Sequence, residues 1–334
     1  MTNIALFTTF PEWPLARQTP GSALRWGEAA FTLNPEGGRF DCCVVYDGLP
    51  RPIALECPPD RTFFIAGEPP SIKQYHPVFL RQFATVITCH SDTPHPRVRH
   101  VQQGYPWHIG VARSGGLPVA ALDFDAMVRA GMPEKTKLLS VIVSDRAVTI
   151  GHRSRRAFAA RLQAHFGPRI DVFGRGIRTL SDKAEGILPY RYHVALENSR
   201  FPDYWTEKVA DAYLGGAHPF YWGCPNLDRY VPAGSFTTIN VYDPEAAIAG
   251  IEQAMAEQRY ERSRPLIAEA RDLVLHKYNI FAALAELAAT RSTMSPATVT
   301  LRPEGIFGDS LRKKLRLRLR RAVPRRFRRA PPPL

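Results

Sequence analysis

Cysteine is scarce in this chain. There are five in 334 residues: Cys42, Cys43, Cys57, Cys89 and Cys224. None forms a C-x-x-C pair, which excludes zinc-ribbon and thioredoxin-type sites. Reduced, buried thiols are the expected state, and they fit the cytosol. Long apolar runs are also missing. No stretch of eighteen apolar residues occurs, so no membrane-spanning helix is expected. The opening Met1–Phe7 has no basic segment before it and soon meets Glu12 and Pro14. It reads as a first buried strand rather than a secretion signal. Acidic residues are absent after Asp309. Of the formal net charge of +13, +11 lies between Ser310 and Leu334, leaving +2 over the other 309 residues. The body is nearly neutral, so the basic charge is an appendage and not the mark of a nucleic-acid-binding body.

What is present is globular. Hydrophobic residues make up 45% and charged residues 22%, enough apolar material for a core. The length suits two domains. Short apolar runs at Ile4–Phe10, Asp41–Tyr46, Thr62–Ala66 and Ala84–Cys89 each meet Gly, Pro or Asp. They read as strands of a parallel sheet with crossovers, with a short helix at Ser22–Ala30. Gly115–Pro133 shows no clear strand. A second α/β series follows: strands at Leu138–Val143, Ile170–Phe173, Tyr192–Leu196, His218–Trp222 and Ile239–Tyr242, and helices at Arg153–His165, Pro244–Gln258 and Pro265–Leu287. The expected organisation is an N-terminal α/β domain over 1–118, a connection over 119–135, a C-terminal α/β domain over 136–290 and a basic, partly amphipathic tail over 291–334. Two α/β domains leave a cleft between them, a favoured ligand site.

The most informative stretch is strand, polar loop, helix, strand. The strand ends at Glu197-Asn198-Ser199, where α/β folds bind ligands. The next helix opens at Thr206-Glu207-Lys208 and offers free N–H groups and a positive dipole end, which suit a phosphate. Lys208 adds a full charge, and Glu207 can accept sugar or ribose hydroxyls. The same residues also suit a capped helix with a surface Glu–Lys pair. Asp123-Phe124-Asp125 has the form of a metal motif, yet no strand precedes it, so it reads as a helix cap. The ten His are scattered and form no metal face.

Together these residues resemble the signature of the α1,3/4-fucosyltransferases, glycosyltransferase family ten, and the resemblance is to a bacterial-type member. The likeness lies in Glu197-Asn198-Ser199, Tyr204-Trp205-Thr206-Glu207-Lys208 and Pro219–Gly223. It extends upstream through Ser140–Ser144, Arg155, Asp171–Arg175 and Lys183-Ala184-Glu185. The first 115 residues share it only thinly. The resemblance implies two facing Rossmann-like domains of GT-B type, with GDP-fucose held by the C-terminal one, and inversion at the sugar carbon. It implies donor-binding roles for Arg155, Asn198, Tyr204, Glu207 and Lys208, with Arg153 and Arg156 as neighbours that could replace Arg155. It also points to Glu68, in a Gly-Glu step after the aromatic strand Phe63–Ala66, as the base that removes the acceptor proton. No metal and no cofactor beyond the donor are expected.

The acceptor is expected to be an oligosaccharide or lipid-linked glycan, with transfer to O3 or O4 of N-acetylglucosamine or a similar sugar of a bacterial surface glycan. The expected place is the cytoplasm, at the inner face of the cytoplasmic membrane. Residues 310–334 would bind the anionic surface there, and no specific nucleic acid is expected. Two other readings stay open: a sibling transferase using another nucleotide sugar, and a non-enzymatic protein with a basic binding arm.

Overall fold

The computed structural model describes residues 1–143, 150–174 and 176–308, apart from the side chains of 150–153. Ser144, Arg175, the side chain of Arg153 and the basic tail 310–334 therefore lie outside the described residues.

The N-terminal unit contains β1 (Thr2–Thr8), β2 (Arg25–Trp26), β3 (Ala29–Leu33), β4 (Cys42–Tyr46), β5 (Ile53–Cys57), β6 (Thr62–Ile65), α1 (Pro77–Leu80), β7 (Thr85–Thr88) and β8 (Val98–His100). Seven of these strands form one sheet in the order β2-β3-β1-β4-β6-β7-β8, parallel except for the β2–β3 pair. The central strands β4 and β6 are buried along their whole length, which is why they read as unbroken apolar runs rather than alternating ones. The strand order reverses between β1 and β4. Ligands gather at such switch points, at the carboxyl ends of the strands. Asp47 and Glu68 follow the ends of β4 and β6 there.

A hairpin of β9 (Val111–Ser114) and β10 (Leu117–Ala120), then α2 (Phe124–Ala130), leads to the second unit. The sequence predicted no strand after Gly115. The hairpin is short and its outer strand is mostly exposed, so its apolar pattern is weak. Asp123 caps α2 by accepting from the Ala126 N–H at 2.8 Å. Its neighbour Asp125 accepts from Gly21 N–H at 2.7 Å.

The second unit runs β11 (Lys137–Ile142), α3 (Ile150–Phe166), β12 (Ile170–Phe173), β13 (Tyr190–Leu196), α4 (Glu207–Leu214), β14 (His218–Trp222), β15 (Thr237–Thr238), α5 (Pro244–Ala256) and α6 (Arg259–His276). Its five strands are all parallel, in the order β12-β11-β13-β14-β15. Here the order reverses between β11 and β13, so Glu197, just past β13, lies at the switch point. Two Rossmann-like parallel α/β units are thus the architecture.

The chain then returns. Asn279 caps α7 (Ile280–Ala289) by accepting from the Phe281 N–H at 3.0 Å, and its amide donates to Gln18 O at 2.7 Å. Ile280, Phe281, Leu284 and Leu287 pack onto the face of the N-terminal sheet made by Ile4, Leu6, Val44, Phe63 and Ile65. Arg61 fixes the helix end, donating to Ala288 O at 2.7 Å. β16 (Ala297–Leu301) then pairs antiparallel with β5, and Leu301 enters the opposite face of that unit. This corrects the expected boundaries. The second unit ends near residue 278, and residues 280–307 belong physically to the first unit rather than to its neighbour or to a tail. An apolar face at helical spacing says that a partner exists, not which sheet it is. Three local readings also change. Ser22–Ala30 forms a 3-10 turn and the strands β2 and β3 instead of a helix. α6 starts at Arg259, so Pro265 lies inside it, and Asn279 divides it from α7. The edge strand falls at Thr237–Thr238 rather than Ile239–Tyr242.

Candidate active site

The carboxyl ends of the two sheets meet across a cleft. Ser71, in the loop after β6, hydrogen-bonds Ser199, in the loop after β13. The Tyr105 ring stands between Tyr46 of the first unit and Tyr204 of the second, edge-on to each, at 6.4 and 6.5 Å between centroids.

On the second unit the site grows from the helix cap. Thr206 is the N-cap of α4, and its Oγ1 accepts from the Lys208 N–H. Glu197 reaches the same point from the end of β13. Its carboxylate accepts from Thr206 N–H at 2.8 Å and from the Thr206 hydroxyl at 2.6 Å, and it is fully buried. A buried carboxyl group therefore already caps this helix start and takes two of its hydrogen-bond donors. Lys208 folds back over the cap. Its Nζ lies 3.0 Å from Thr206 Oγ1, 2.9 Å from Glu207 Oε1 and 3.5 Å from Glu197 Oε2. Gly223 makes room for this packing. A Cβ there would come closer than 3.0 Å to both Glu197 Cγ and the Tyr221 hydroxyl.

The charges explain one another. Burial pushes the Glu197 carboxyl above the usual range, against the pull of Lys208. Burial acts on Glu207 in the same direction, but Lys208, His108 and Lys183 together hold it well below that range. Lys208 is itself raised, since Glu207 and Glu197 outweigh its desolvation. Arg155, one turn into α3, is buried and donates to Leu196 O at 3.1 Å. Burial lowers its pKa, opposed by Glu197, Tyr204 and Glu207, which places it in the field of the same carboxylates. It remains a cation at any ordinary pH. Tyr204 is buried and its hydroxyl stays protonated, with burial and then Glu197 raising its pKa. Asn198 is half-buried beside Glu197.

Glu68 faces this group from the first unit. Burial raises its pKa, and Asp47 and Glu207 add to that, while Lys208 and Lys73 oppose it. It thus feels Glu207 and Lys208 from across the cleft. The structure brings all six residues singled out in the sequence, Glu68, Arg155, Asn198, Tyr204, Glu207 and Lys208, to the two facing strand ends.

The sequence alone gives no individual role in the site to Lys183 or Asp211, and it leaves His108 as either a structural residue or one lining the acceptor side. Lys183 sits 2.9 Å from Asp211 Oδ2 and 3.9 Å from Glu207 Oε1. Asp211 is fully buried, one turn along α4 from Glu207, and its other oxygen accepts from His108 N–H at 3.0 Å. His108 is pushed down to about 4 by burial, so its ring is neutral at pH 7. Asp182 and Glu185 form a capping box around Lys183, while the lysine itself reaches Asp211 and Glu207. Among the described residues no group of three or more His, Cys, Asp or Glu could hold a metal ion.

Residues 132–262 match the family described as glycosyltransferase family 10 (fucosyltransferase) C-term. This part of the chain, residues 132–262, is similar to glycosyltransferase family 10. It is 31% identical to human alpha-(1,3)-fucosyltransferase 7 over 173 residues, 49% of this chain and 48% of that protein. It is 35% identical to mouse alpha-(1,3)-fucosyltransferase 4 over 105 residues, 29% of this chain and 24% of that one. The chain thus spans about half, or less, of the length of the curated relatives it matches. Among solved structures, an alpha1,3-fucosyltransferase crystallised with GDP-fucose aligns at a TM-score of 0.48 and 18% identity, over 88% of this chain and 92% of that one. The family 10 match contains α3, β13 and α4, so it takes in every residue of the second-unit cluster from Arg155 to Lys208. It leaves out Glu68 and the whole first unit.

Proposed function

We propose that this chain is an inverting fucosyltransferase that moves L-fucose from GDP-fucose to a hydroxyl of a glycan acceptor. The observation that carries the reading is the opposition of Glu68 on one unit to the Lys208–Glu207 pair on the other. Such a transfer needs a cation for the leaving diphosphate and a base for the attacking hydroxyl, on opposite sides of the sugar. Lys208, Arg155 and the N-terminus of α4 stabilise the charge that grows on the leaving phosphate oxygen. Glu207, ionised at neutral pH, accepts hydroxyls of the fucose or the ribose. Tyr204 and Asn198 line the donor side. Glu68 takes the acceptor's proton as its oxygen bonds to the anomeric carbon and the carbon–phosphate oxygen bond breaks, so GDP leaves from the opposite face. A partly buried carboxylate with a raised pKa is a better base for this step than an exposed one.

The acceptor in this reading is a bacterial surface glycan, built on a lipid at the inner face of the cytoplasmic membrane, and it is fucosylated at O3 or O4 of an N-acetylglucosamine-like unit. The eleven positive charges of residues 310–334 would keep the enzyme at that surface, each contributing about 1 kcal/mol near anionic lipid. Deleting 310–334 should release the protein from anionic vesicles without changing GDP binding, and vesicle binding that survives the deletion refutes this part.

The direct test is GDP release from GDP-fucose with a panel of galactose- and N-acetylglucosamine-containing acceptors, with and without EDTA. Turnover that persists in EDTA, and a Glu68→Gln variant that binds GDP normally but transfers at least ~100-fold more slowly, are the expected results. Neither binding nor release with GDP-fucose, and turnover of another nucleotide sugar, would assign the site to a sibling reaction.

A further inference from the structure

The wall behind Glu68 is built from residues that the transfer reaction, as described above, does not use. Asp47 follows β4 directly and has a left-handed backbone, φ 62°. Its N–H donates to Ile65 O at 2.8 Å, which ties it to the end of β6, and the Asp47 side chain packs so close to Gly67 that a Cβ there would collide with it. Asp47 Oδ1 accepts from the Tyr75 hydroxyl and from Lys73 Nζ, the latter at 3.2 Å, and Asp47 O accepts from the same ammonium at 2.8 Å. The Tyr75 oxygen in turn accepts from the Glu68 N–H at 3.2 Å. On the other side of that residue, His90 Nε2–H donates to Glu68 O at 2.8 Å. Tyr75 is buried against Phe64 at 4.8 Å between ring centroids and so cannot swing away.

We propose that Asp47 is a positioning residue for Glu68: through Tyr75 it fixes the Glu68 peptide, and with Lys73 it sets the charge that the Glu68 carboxylate faces from behind. The proposal rests on the reading of Glu68 as the acceptor base. A strained backbone is kept where surrounding contacts over-determine it, and at Asp47 they do. A carboxylate held behind the base makes release of a captured proton harder, and Lys73 moderates the effect. Among the described residues the charge environment of Glu68 includes groups from both units, with the His90 ring, kept neutral by burial, against its peptide oxygen. Asp47 and Lys73 lie behind it, Glu207 and Lys208 face it across the cleft, and the hydroxyls of Tyr46, Tyr75 and Tyr204 lie within its field. Of these, only Asp47 and Lys73 are charged and belong to its own unit, so they can be altered without touching the donor side.

The two charges make opposite predictions. Asn tolerates a left-handed backbone as Asp does, and its amide oxygen still accepts from Tyr75, so Asp47→Asn should fold. Removing the negative charge favours the Glu68 anion, and removing the positive charge disfavours it. In protein labelled with 13C at Glu carboxyls, with Glu68 assigned by Glu68→Gln, the Glu68 midpoint should fall by roughly half a pH unit or more in Asp47→Asn. It should rise by a similar amount in Lys73→Met. Asp47→Asn should also lower kcat about threefold, move the acid limb of its pH profile downward and leave the KM for GDP-fucose unchanged. Midpoints that stay put in both variants, or move together, overturn the proposal, because a merely structural role would not give opposite shifts. A wild type that transfers no fucose would refute the donor reading alone. The Glu68 titration needs no turnover and decides the Asp47 proposal in either case.

Discussion

Replacing Lys208 by Ala tests the donor site most directly. Among the described residues around the start of α4, three cations, Arg155, Lys183 and Lys208, stand among three acidic groups, Glu197, Glu207 and Asp211. On the proposed reading a diphosphate brings the excess negative charge to these described groups, and Lys208 is the cation at the helix start that meets it. Deleting that ammonium leaves Glu197 and Glu207 without their shared partner and turns the local field negative. A unit charge about 4 Å from a phosphate charge is worth about 4 kcal/mol at an effective dielectric constant near 20. Lys208 is one-fifth exposed, so solvent screening removes roughly half of this. The remaining ~2 kcal/mol is roughly a 30-fold weakening of GDP binding. The assay is calorimetric titration with GDP, beside guanosine as the uncharged control. GDP should weaken about 30-fold while guanosine changes little. GDP affinity within about threefold of wild type would refute the assignment of the phosphate to this helix start. Equal losses for GDP and guanosine would instead show that the site had collapsed, and Lys208→Arg, which keeps the charge, would then fail to restore GDP binding.

Gly223→Ala should destabilise the second unit by about 1–3 kcal/mol in urea unfolding, because the added methyl meets buried Glu197 and the Tyr221 hydroxyl, and that hydroxyl is held by Cys224 N–H at 2.8 Å. It should also weaken GDP binding by displacing Glu197, and a variant as stable as wild type would show that this packing is looser than described. Stability should fall with acid. Burial holds His193 and His218 down to about 3, while unfolded His titrates near 6.5, so between those values the unfolded chain binds more protons and stability rises with pH. At pH 5 each costs about 2 kcal/mol relative to neutral pH, and about 4 kcal/mol together. Urea midpoints at pH 7.5 and 5 should show that loss, and His218→Gln should remove about half of it. Unchanged stability over that range would contradict the burial of both rings.

Much of the second unit was legible in sequence because its signals are local. The strand end at Glu197 and the cap at Thr206 are each set by a few neighbouring residues. The motif from Glu197 to Lys208 is equally compact, so its residues stay together wherever the fold puts them. The return of the chain was not legible. Ile280, Phe281, Leu284 and Leu287 make an apolar face that any sheet could cover, and only three-dimensional packing assigned it to strands more than two hundred residues earlier. The hairpin at Val111–Ala120 escaped notice for the opposite reason, since its exposed strand offers almost no pattern.

By itself, then, the sequence determined the alternation of strands and helices, the near-neutral body with its basic appendage, and the chemistry gathered at one helix start. Each depends on neighbours in the chain or on composition. The tertiary structure decided what depends on distance: that Glu68 faces Lys208 and Glu207 although about 140 residues separate them, that Lys183 and Asp211 join the same charge group, and that Asp47 stands behind Glu68. Coulomb energies fall with separation in space and take no account of separation along the chain. Which charges share a field is therefore settled only once the two sheets face each other.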